Sequence, residues 1–273
     1  MPELPEVETV KNGLNQFVCN QIIHNVNVYQ SSLRYKVDPN IASILKNKVI
    51  LNLSRRAKYL IFELDKGYII AHLGMTGIFR VFSNPIPELK KHDHIELILE
   101  DCVIRYNDTR RFGFFIYSEE HPDKHKLFVK LGPEPLLDDF NGEYLYEKLS
   151  NKNKPIKSTL MDNAIVVGVG NIYANEVLFK CGIHPISISK NISLEQCEHL
   201  VSEIKQILAE SIKQGGTTLK DFKNTAGKPG YFSQSLAVYG QKNQVCKTCD
   251  NIIESTVIGQ RSSFFCSECQ KVY

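Results

Sequence analysis

The chain has 273 residues, of which 42% are hydrophobic and 23% charged, and its formal net charge is +3 at pH 7. This length exceeds what one hydrophobic core usually supports, so we expect two domains rather than one. The composition is ordinary for a globular protein, and the longest apolar run falls well short of the ~18 residues that a membrane helix needs.

The first ten residues, MPELPEVETV, combine two prolines with three glutamates. They carry acids where a secretory signal carries lysines, so we expect a cytoplasmic protein. Apolar side chains then recur at helical spacing, and Pro5 suits a first helical turn, which predicts an amphipathic helix over about residues 5–18. Taken alone, Pro2 and Glu3 are simply the entry to this helix.

From residue 22 to residue 117 the pattern changes to short apolar or alternating runs. They are NVNVY, VILNL, YLIFEL, YIIAHL, IFRVF, IELILE, CVIRY and FGFFIY. Turn-like DKG and ED separate some of these runs, as is typical of antiparallel hairpins. We therefore predict an antiparallel sandwich or barrel with one N-terminal helix.

The second half of the chain is predicted to be mainly helical. LGPEPL at 131–136 has the composition of a linker, because two prolines and a glycine interrupt any regular element. Four helices are expected after it. The first is capped by Asp138 or Asp139 and runs through Leu149, and the last runs from the capping box of Ser193 and Gln196 to Gly215. Between them, one helix is expected from Pro155 to about Met161 and one from Asn171 to about Cys181. Residues 217–240 are polar without a clear period, which is typical of a functional or mobile loop.

Four cysteines near the C-terminus have the spacing of a metal site. Cys246 and Cys249 form one CxxC pair, and Cys266 and Cys269 form another. Such pairs can hold Zn²⁺ tetrahedrally, and with four thiolates no position is left for a substrate water, so the metal is expected to be structural. The intervening STVIGQRSSFF predicts a β-hairpin with its turn near Gly259. The alternatives, redox thiols or disulfides, conflict with a cytoplasmic chain.

Basic residues cluster in SRRAK (54–58), KKHDH (90–94) and DTRRFG (108–113). The pI of about 8.3 is below the value of roughly 9 that by itself indicates nucleic-acid binding. These clusters are either parts of a polyanion-binding cleft or scattered solvated surface. Arg261 in the predicted hairpin is either a phosphate ligand or a solvated side chain. Gly168 and Gly170, just before a helix start, are either a phosphate-binding turn or a plain tight turn.

Taken together and in order, the motifs resemble the formamidopyrimidine-DNA glycosylase family, bacterial repair enzymes for oxidised purines. The matching segments are PELPEVE, RRAKYL, HLGMTG, KHDH, DTRRFG, LGPEPL, VVGVGNIYANE, QGGTTLKDF, GKPGYF and the four-cysteine finger. The resemblance implies an α+β multidomain fold. An N-terminal antiparallel β-sandwich with an N-terminal helix (1–131) is followed by a helical helix-two-turns-helix domain (132–240), which carries a lesion loop (217–240), and by a zinc-binding β-hairpin finger (241–273).

The resemblance also gives the N-terminus a chemical role. In the family the initiator Met1 is removed, and the amine of Pro2 attacks the anomeric carbon of the damaged nucleotide. An α-amino group has a pKa of about 8 against about 10.4 for lysine, so more of it is neutral at pH 7. A secondary amine forms an iminium that keeps its charge and acts as an electron sink. Glu3 corresponds to the general acid/base and Lys58 to a strand lysine that contacts phosphate and assists proton transfer; Arg261 is implicated in the final elimination.

Further positions match the family's DNA contacts. These are His72, His92, Arg110, Lys152 and Asn171, although the lysine of the NKNK tract could equally be Lys154. A flipped base leaves a hole in the stack, and Met75, Arg110 and Phe112 match the residues that fill it. Without the resemblance, Met75 and Phe112 are more typical of a core.

The function implied is base-excision repair by a bifunctional DNA glycosylase and abasic-site lyase. It excises oxidised purines from duplex DNA and cleaves the abasic site by β,δ-elimination through a Schiff base on Pro2. The resemblance also implies one structural zinc ion and no organic cofactor. The expected partner is double-stranded DNA containing oxidised bases or abasic sites, with no membrane association. The protein is expected to be a monomer in the cytoplasm, associated with the nucleoid. Two alternatives stay open: an endonuclease-VIII-like enzyme for oxidised pyrimidines, and a non-catalytic zinc-dependent nucleic-acid-binding protein.

Overall fold

A computed structural model of the chain describes residues 2–216 and 236–273. It divides into two compact units: Met1–Val129 with Gln214–Ser233, and Lys130–Lys213 with Gln234–Tyr273. No helix within the described ranges is long and apolar enough to cross a membrane. Most of the loop predicted at 217–240 lies outside these ranges.

The first unit is an antiparallel β-sandwich with a helix at its start, as the sequence predicted. Within the described part of this unit, helix α1 (Leu4–Val18) precedes nine strands, and a short helix α2 (Ile41–Leu45), which periodicity did not indicate, lies between the second and third strands. The strands are β1 (Gln21–Ile22), β2 (Asn25–Val28), β3 (Val49–Arg56), β4 (Tyr59–Leu64), β5 (Tyr68–His72), β6 (Ile78–Phe82), β7 (Asp93–Ile98), β8 (Val103–Asn107) and β9 (Phe114–Ser118). Every predicted run forms a strand.

The nine strands form two sheets that share one core. The five-stranded sheet has the order β1-β3-β4-β5-β9, the four-stranded sheet has the order β2-β7-β8-β6, and all pairs are antiparallel. Alternate residues of β4, such as Leu60 and Phe62, are fully buried in the core that Phe79 and Tyr106 of the other sheet also line. Burying these large side chains contributes about 2 kcal/mol each to folding, and the core holds both sheets and α1 in place.

The second unit consists of helices and a C-terminal hairpin. Its helices are α3 (Gly142–Leu149), α4 (Ile156–Leu160), α5 (Asn171–Lys180) and α6 (Leu194–Lys213), and its hairpin pairs β10 (Glu254–Ile258) with β11 (Arg261–Phe265). The predicted capping box of α6 is present, since Ser193 N donates to Gln196 Oε1 at 2.8 Å and Gln196 N donates to Ser193 Oγ at 3.2 Å. Two short 3₁₀ turns lie at Pro122–Lys124 of the first unit and Ser189–Asn191 of this one.

One sequence expectation for this unit was wrong. Helix α3 is capped by Asn141, whose Oδ1 accepts from Tyr144 N at 2.9 Å, and not by Asp138 or Asp139. The chain turns once more before the helix, and Phe140 in this turn is fully buried. LGPEPL forms no helix or strand, as its composition predicted, and it lies next to the boundary between the units; Gly132 N donates to Asn163 O at 2.7 Å.

Candidate active site

The N-terminus of α1 holds two acidic side chains away from solvent. Pro2 is buried, and Glu3 and Glu6 are each only 1% exposed. Glu3 N donates to Glu6 Oε2 at 2.8 Å, and the Glu3 carboxylate accepts from Glu6 N, so the two residues form a capping box. Both carboxylates lie at the N-terminal end of the helix, where the backbone N–H groups are free to donate to them. The capping box therefore fixes the backbone that follows Pro2.

Lys58 lies in a two-residue turn between β3 and β4, and not within a strand as expected. Ala57 takes a left-handed conformation there (φ +53°), and Arg56 pairs with Tyr59 across the turn. Arg55 holds this turn in place, because its Nη1 donates to Ala57 O at 2.8 Å and its Nε pairs with Glu8 of α1 at 2.6 Å. The turn that carries Lys58 is thus tied to the helix that begins beside Pro2 and Glu3.

His72 ends β5, directly opposite Tyr59, and its ring stacks on Phe114 at 5.5 Å between centroids. Burial, reinforced by the nearby positive charges of Lys58 and Arg34, lowers the pKa of His72 to about 4. Gly74 N donates to His72 Nδ1 at 2.9 Å, so the proton of the neutral ring is on Nε2. At neutral pH the side chain is an uncharged hydrogen-bond donor.

We predict that His72 titrates near pH 4 in the folded protein, whereas an unfolded histidine titrates near 6.5. The folded pKa is the lower of the two, so the contribution of neutral His72 to stability is complete above about pH 6.5 and is lost as the pH falls toward 4. NMR titration of the ring protons, assigned with His72→Gln, measures this pKa. A His72 resonance that titrates at pH 6 or above would contradict the assignment.

Two neighbouring turns bring together the side chains expected to fill the hole in the DNA. The Arg110 guanidinium lies 4.6 Å from the centre of the Phe112 ring, and Phe112 is 45% exposed. Met75 and Phe112 line a cavity of about 470 Å³. Gly74 (φ +61°) packs against the backbone of Gly113, where a side chain would collide, so the two turns are held in direct contact.

The same cavity is also lined by cations that the sequence analysis did not single out, Arg34 and Arg111. Arg111 belongs to DTRRFG, so its motif gave a signal, whereas nothing near Arg34 did. His92 lies apart from this cavity's lining, in the turn before β7, with φ +74° and a half-buried side chain.

In the second unit, polar side chains fasten the hairpin to the helices. Asn171 opens α5 after Gly170, and its Nδ2 donates to Ser262 O at 3.0 Å. Its Oδ1 has no hydrogen-bond partner among the residues that the structure describes. Lys157 of α4 is 1% exposed and donates to the same Ser262 carbonyl at 3.0 Å and to Ser263 Oγ at 2.6 Å. No signal in the sequence distinguished Lys157, because IKSTL has no recognisable pattern.

Arg261 is exposed at the start of β11, paired with Ile258 across the predicted turn. The turn residues Gly259 and Gln260 have φ of +55° and +62°, as a tight two-residue hairpin requires. Because Lys157 and Asn171 bind the next residue, Ser262, the backbone position of Arg261 is fixed. In the NKNK tract, Lys154 pairs with Asp162 at 3.2 Å, while Lys152 is half-buried.

The four cysteines of the finger converge as a metal site requires. Their sulfur atoms all lie within 4.8 Å of one another, with Cys246 and Cys269 at 3.9 Å and Cys249 and Cys266 at 3.4 Å. A tetrahedral zinc site with Zn–S bonds of about 2.3 Å places its sulfurs roughly 3.8 Å apart. The cluster therefore fits one structural zinc ion.

Family models match most of the chain. A model described as the formamidopyrimidine-DNA glycosylase N-terminal domain matches residues 1–115, one for the H2TH domain of the same enzymes matches 131–223, and one for a zinc finger found in FPG and IleRS matches 243–272. Formamidopyrimidine-DNA glycosylases of Haemophilus influenzae (strain PittEE) and Pasteurella multocida (strain Pm70) are 53% and 52% identical to the chain, over 99% of it and 99% and 100% of their own lengths.

Solved structures agree with these matches. The Lactococcus lactis Fpg bound to DNA with an abasic site has a TM-score of 0.91 at 33% identity, covering 98% of this chain and 99% of that one. The MutM (Fpg) protein from Thermus thermophilus has a TM-score of 0.89 at 33% identity, with 100% of both chains covered. A mutant of the Lactococcus lactis protein bound to DNA containing Fapy-dG has a TM-score of 0.90 at 33% identity, over 99% of this chain and 100% of that one.

Proposed function

The chain belongs to the formamidopyrimidine-DNA glycosylase family, and we propose that Pro2 is its nucleophile and Glu3 its general acid/base. It is a DNA glycosylase with abasic-site lyase activity that acts in base-excision repair of oxidised purines, and its finger holds one structural zinc ion. The observation that carries the proposal is the buried capping box of Glu3 and Glu6, directly after Pro2.

The chemistry begins with removal of Met1, which leaves a secondary amine on Pro2. Its nitrogen lone pair attacks the anomeric carbon, the bond from that carbon to the base breaks, and the base departs with a proton. The attacking nitrogen gives up its proton, and the bond between the anomeric carbon and the ring oxygen then breaks as that oxygen takes up a proton, which opens the sugar and leaves an iminium. The iminium withdraws electrons, so a proton leaves the neighbouring sugar carbon and the 3′ phosphate is eliminated, followed by the 5′ phosphate. Glu3, which lies beside Pro2 at the helix N-terminus, is suited to exchange the protons of these steps.

Each unit supplies its own DNA contacts. In the first, Lys58 binds a phosphate at the lesion and assists proton transfer, and neutral His72 donates from Nε2 to a phosphate. In the second, Asn171 and Arg261 bind phosphate, and Arg261 also assists the last elimination. Lys152 is the DNA contact of the NKNK tract, because Lys154 is already paired with Asp162.

The remaining contacts act on the hole left by the flipped base. Met75, Arg110 and Phe112 fill it, with the Arg110 guanidinium available to the orphaned partner base, and His92 contacts the DNA nearby. The contact between Arg110 and Phe112 and the cavity beside Met75 support this assignment. We further propose that the protein acts as a monomer in the cytoplasm, associated with the nucleoid. We also propose that the chain comprises three domains, with boundaries after residues 131 and 240.

Borohydride trapping tests the proposal. The protein is expected to form a covalent adduct with a duplex that contains 8-oxoguanine opposite cytosine, and none with the undamaged duplex. If no adduct forms with the damaged duplex, the result would favour the alternative of a non-catalytic, zinc-dependent nucleic-acid-binding protein. The wild-type Lactococcus lactis enzyme has been solved with DNA containing an oxidised pyrimidine, so a pyrimidine-lesion duplex is the second substrate. Faster cleavage of that duplex would favour the endonuclease-VIII-like alternative.

A further inference from the structure

Asp108 is a fully buried carboxylate at the first position of DTRRFG, where β8 has just ended. Four donors saturate its side chain. Thr76 Oγ1 (2.5 Å) and Arg110 N (3.2 Å) donate to Oδ1, and Tyr106 Oη (3.2 Å) and Gly113 N (2.8 Å) donate to Oδ2. Through these bonds Asp108 closes its own turn and ties it to the HLGMTG turn, which contains Thr76.

The backbone of Asp108 reaches a third turn. Its carbonyl oxygen accepts from His94 Nε2 at 2.7 Å, and its N–H donates to the carbonyl of His92 at 3.1 Å. His92 itself has a left-handed backbone (φ +74°), a conformation that needs support from its surroundings. The KHDH turn is therefore fastened to the same residue as the other two.

These three turns carry the side chains proposed to fill the hole left by the flipped base, which are Met75, Arg110 and Phe112, and His92, which is proposed to contact the DNA nearby. Asp108 has no exposed surface, so it does not touch DNA itself. We propose that Asp108 is the positioning residue that sets the relative placement of these three turns on the duplex. The inference rests on the proposed function, since it assigns a cause to the geometry of the proposed DNA contacts.

A carboxylate suits this position because two of its partners, the backbone N–H groups of Arg110 and Gly113, can only donate and bind different oxygens. An asparagine there keeps the size, but its amide nitrogen is itself a donor and faces one of these two N–H groups. That backbone hydrogen bond is then lost and the DTRRFG turn is loosened. A displacement of about 1 Å in a positioning contact can slow a reaction by roughly 100-fold.

The test compares two reactions of the full-length, zinc-loaded protein. Excision of 8-oxoguanine from a duplex needs the three turns, whereas borohydride trapping on a single-stranded abasic oligonucleotide needs only the amine chemistry, because a single strand has no stack to fill. We expect Asp108→Asn to slow duplex excision by about 100-fold and to change single-strand trapping by less than about threefold. The fluorescence change of 2-aminopurine placed opposite the lesion, which reports insertion into the stack, is expected to be lost as well.

Glu96→Gln is the matched control. Glu96 is a buried carboxylate (6% exposed) on the adjacent strand β7, and it binds Arg105 Nε at 2.5 Å and Asn27 Nδ2 at 3.1 Å. Loss of this carboxylate weakens the same sheet without affecting the three turns. We therefore expect the ratio of duplex excision to single-strand trapping in Glu96→Gln to equal that of the wild-type protein. Thermal unfolding of both variants shows how much of each effect is stability.

The inference is overturned if Asp108→Asn leaves duplex excision unchanged, or if it lowers duplex excision and single-strand trapping equally. It is also overturned if Glu96→Gln changes the ratio as Asp108→Asn does. Failure of the proposed function is separate, because the wild-type protein would then form no adduct with either DNA.

Discussion

A variant with one glycine inserted between Met1 and Pro2 will form no borohydride adduct with damaged DNA. The nitrogen of Pro2 becomes part of an amide and loses its nucleophilic lone pair, and the new terminal amine is displaced by about one residue length. Because bond formation depends on near-contact geometry, the excision rate is expected to fall by at least ~10³-fold. Single-turnover cleavage of an 8-oxoguanine duplex measures the loss.

Pro2→Gly is the companion variant. It keeps an amine at the same position, but a primary amine gives an iminium that loses its N–H proton and with it the electron sink. We expect Pro2→Gly to trap less DNA than the wild-type protein and more than the insertion variant. Equal affinity of all three for a duplex with a stable abasic analogue confirms that they fold. An insertion variant that traps as well as wild type would contradict the role of Pro2.

Loss of the zinc site will remove the finger as a folded element. The buried cluster around the cysteines is small, consisting of Val238, Cys246, Ile253 and Cys266, so the metal must supply most of the folding energy, on the order of 10 kcal/mol. Replacing Cys249 by alanine removes one ligand and with it the support of β11, which carries Arg261. We expect the zinc content to fall from one ion per chain toward zero and the affinity for a lesion duplex to fall by at least ~100-fold.

Elemental analysis and a binding titration measure the two effects. Cys19→Ala is the control, because Cys19 is half-exposed in the first unit and outside the four-cysteine cluster. That variant is expected to keep both zinc and affinity. Full zinc content in Cys249→Ala would show that Cys249 is not a ligand, and unchanged affinity after zinc loss would show that the finger does not contribute to DNA binding.

Local sequence patterns predicted the elements whose structure is determined by residues close to one another in the sequence. Helix α1, the strands and the β10–β11 hairpin follow from periodicity and from the flexible turn at Gly259. The zinc ligands follow from cysteine spacing alone. Pro2 had no such signal: composition describes it as a helix entry, and only the order of the family motifs gave it a chemical role.

Long-range contacts account for what the sequence did not reveal. The burial of Lys157 depends on its hydrogen bonds to Ser262 and Ser263. These partners lie 105 and 106 positions further along the chain, so no local pattern reveals them. The pKa of His72 is lowered by burial and by Lys58 and Arg34, which belong to other elements. In the sequence, Asp108 is one more residue of a basic motif, and its role emerges only when three separate turns meet.

If the terminal amine of Pro2 bonds to the damaged sugar, the mass of the N-terminal peptide after borohydride trapping will show it. We predict that Met1 is absent and that the reduced sugar remnant is attached to the nitrogen of Pro2. A remnant on Lys58 or another lysine, or a trapped protein that still carries Met1, would contradict the claim.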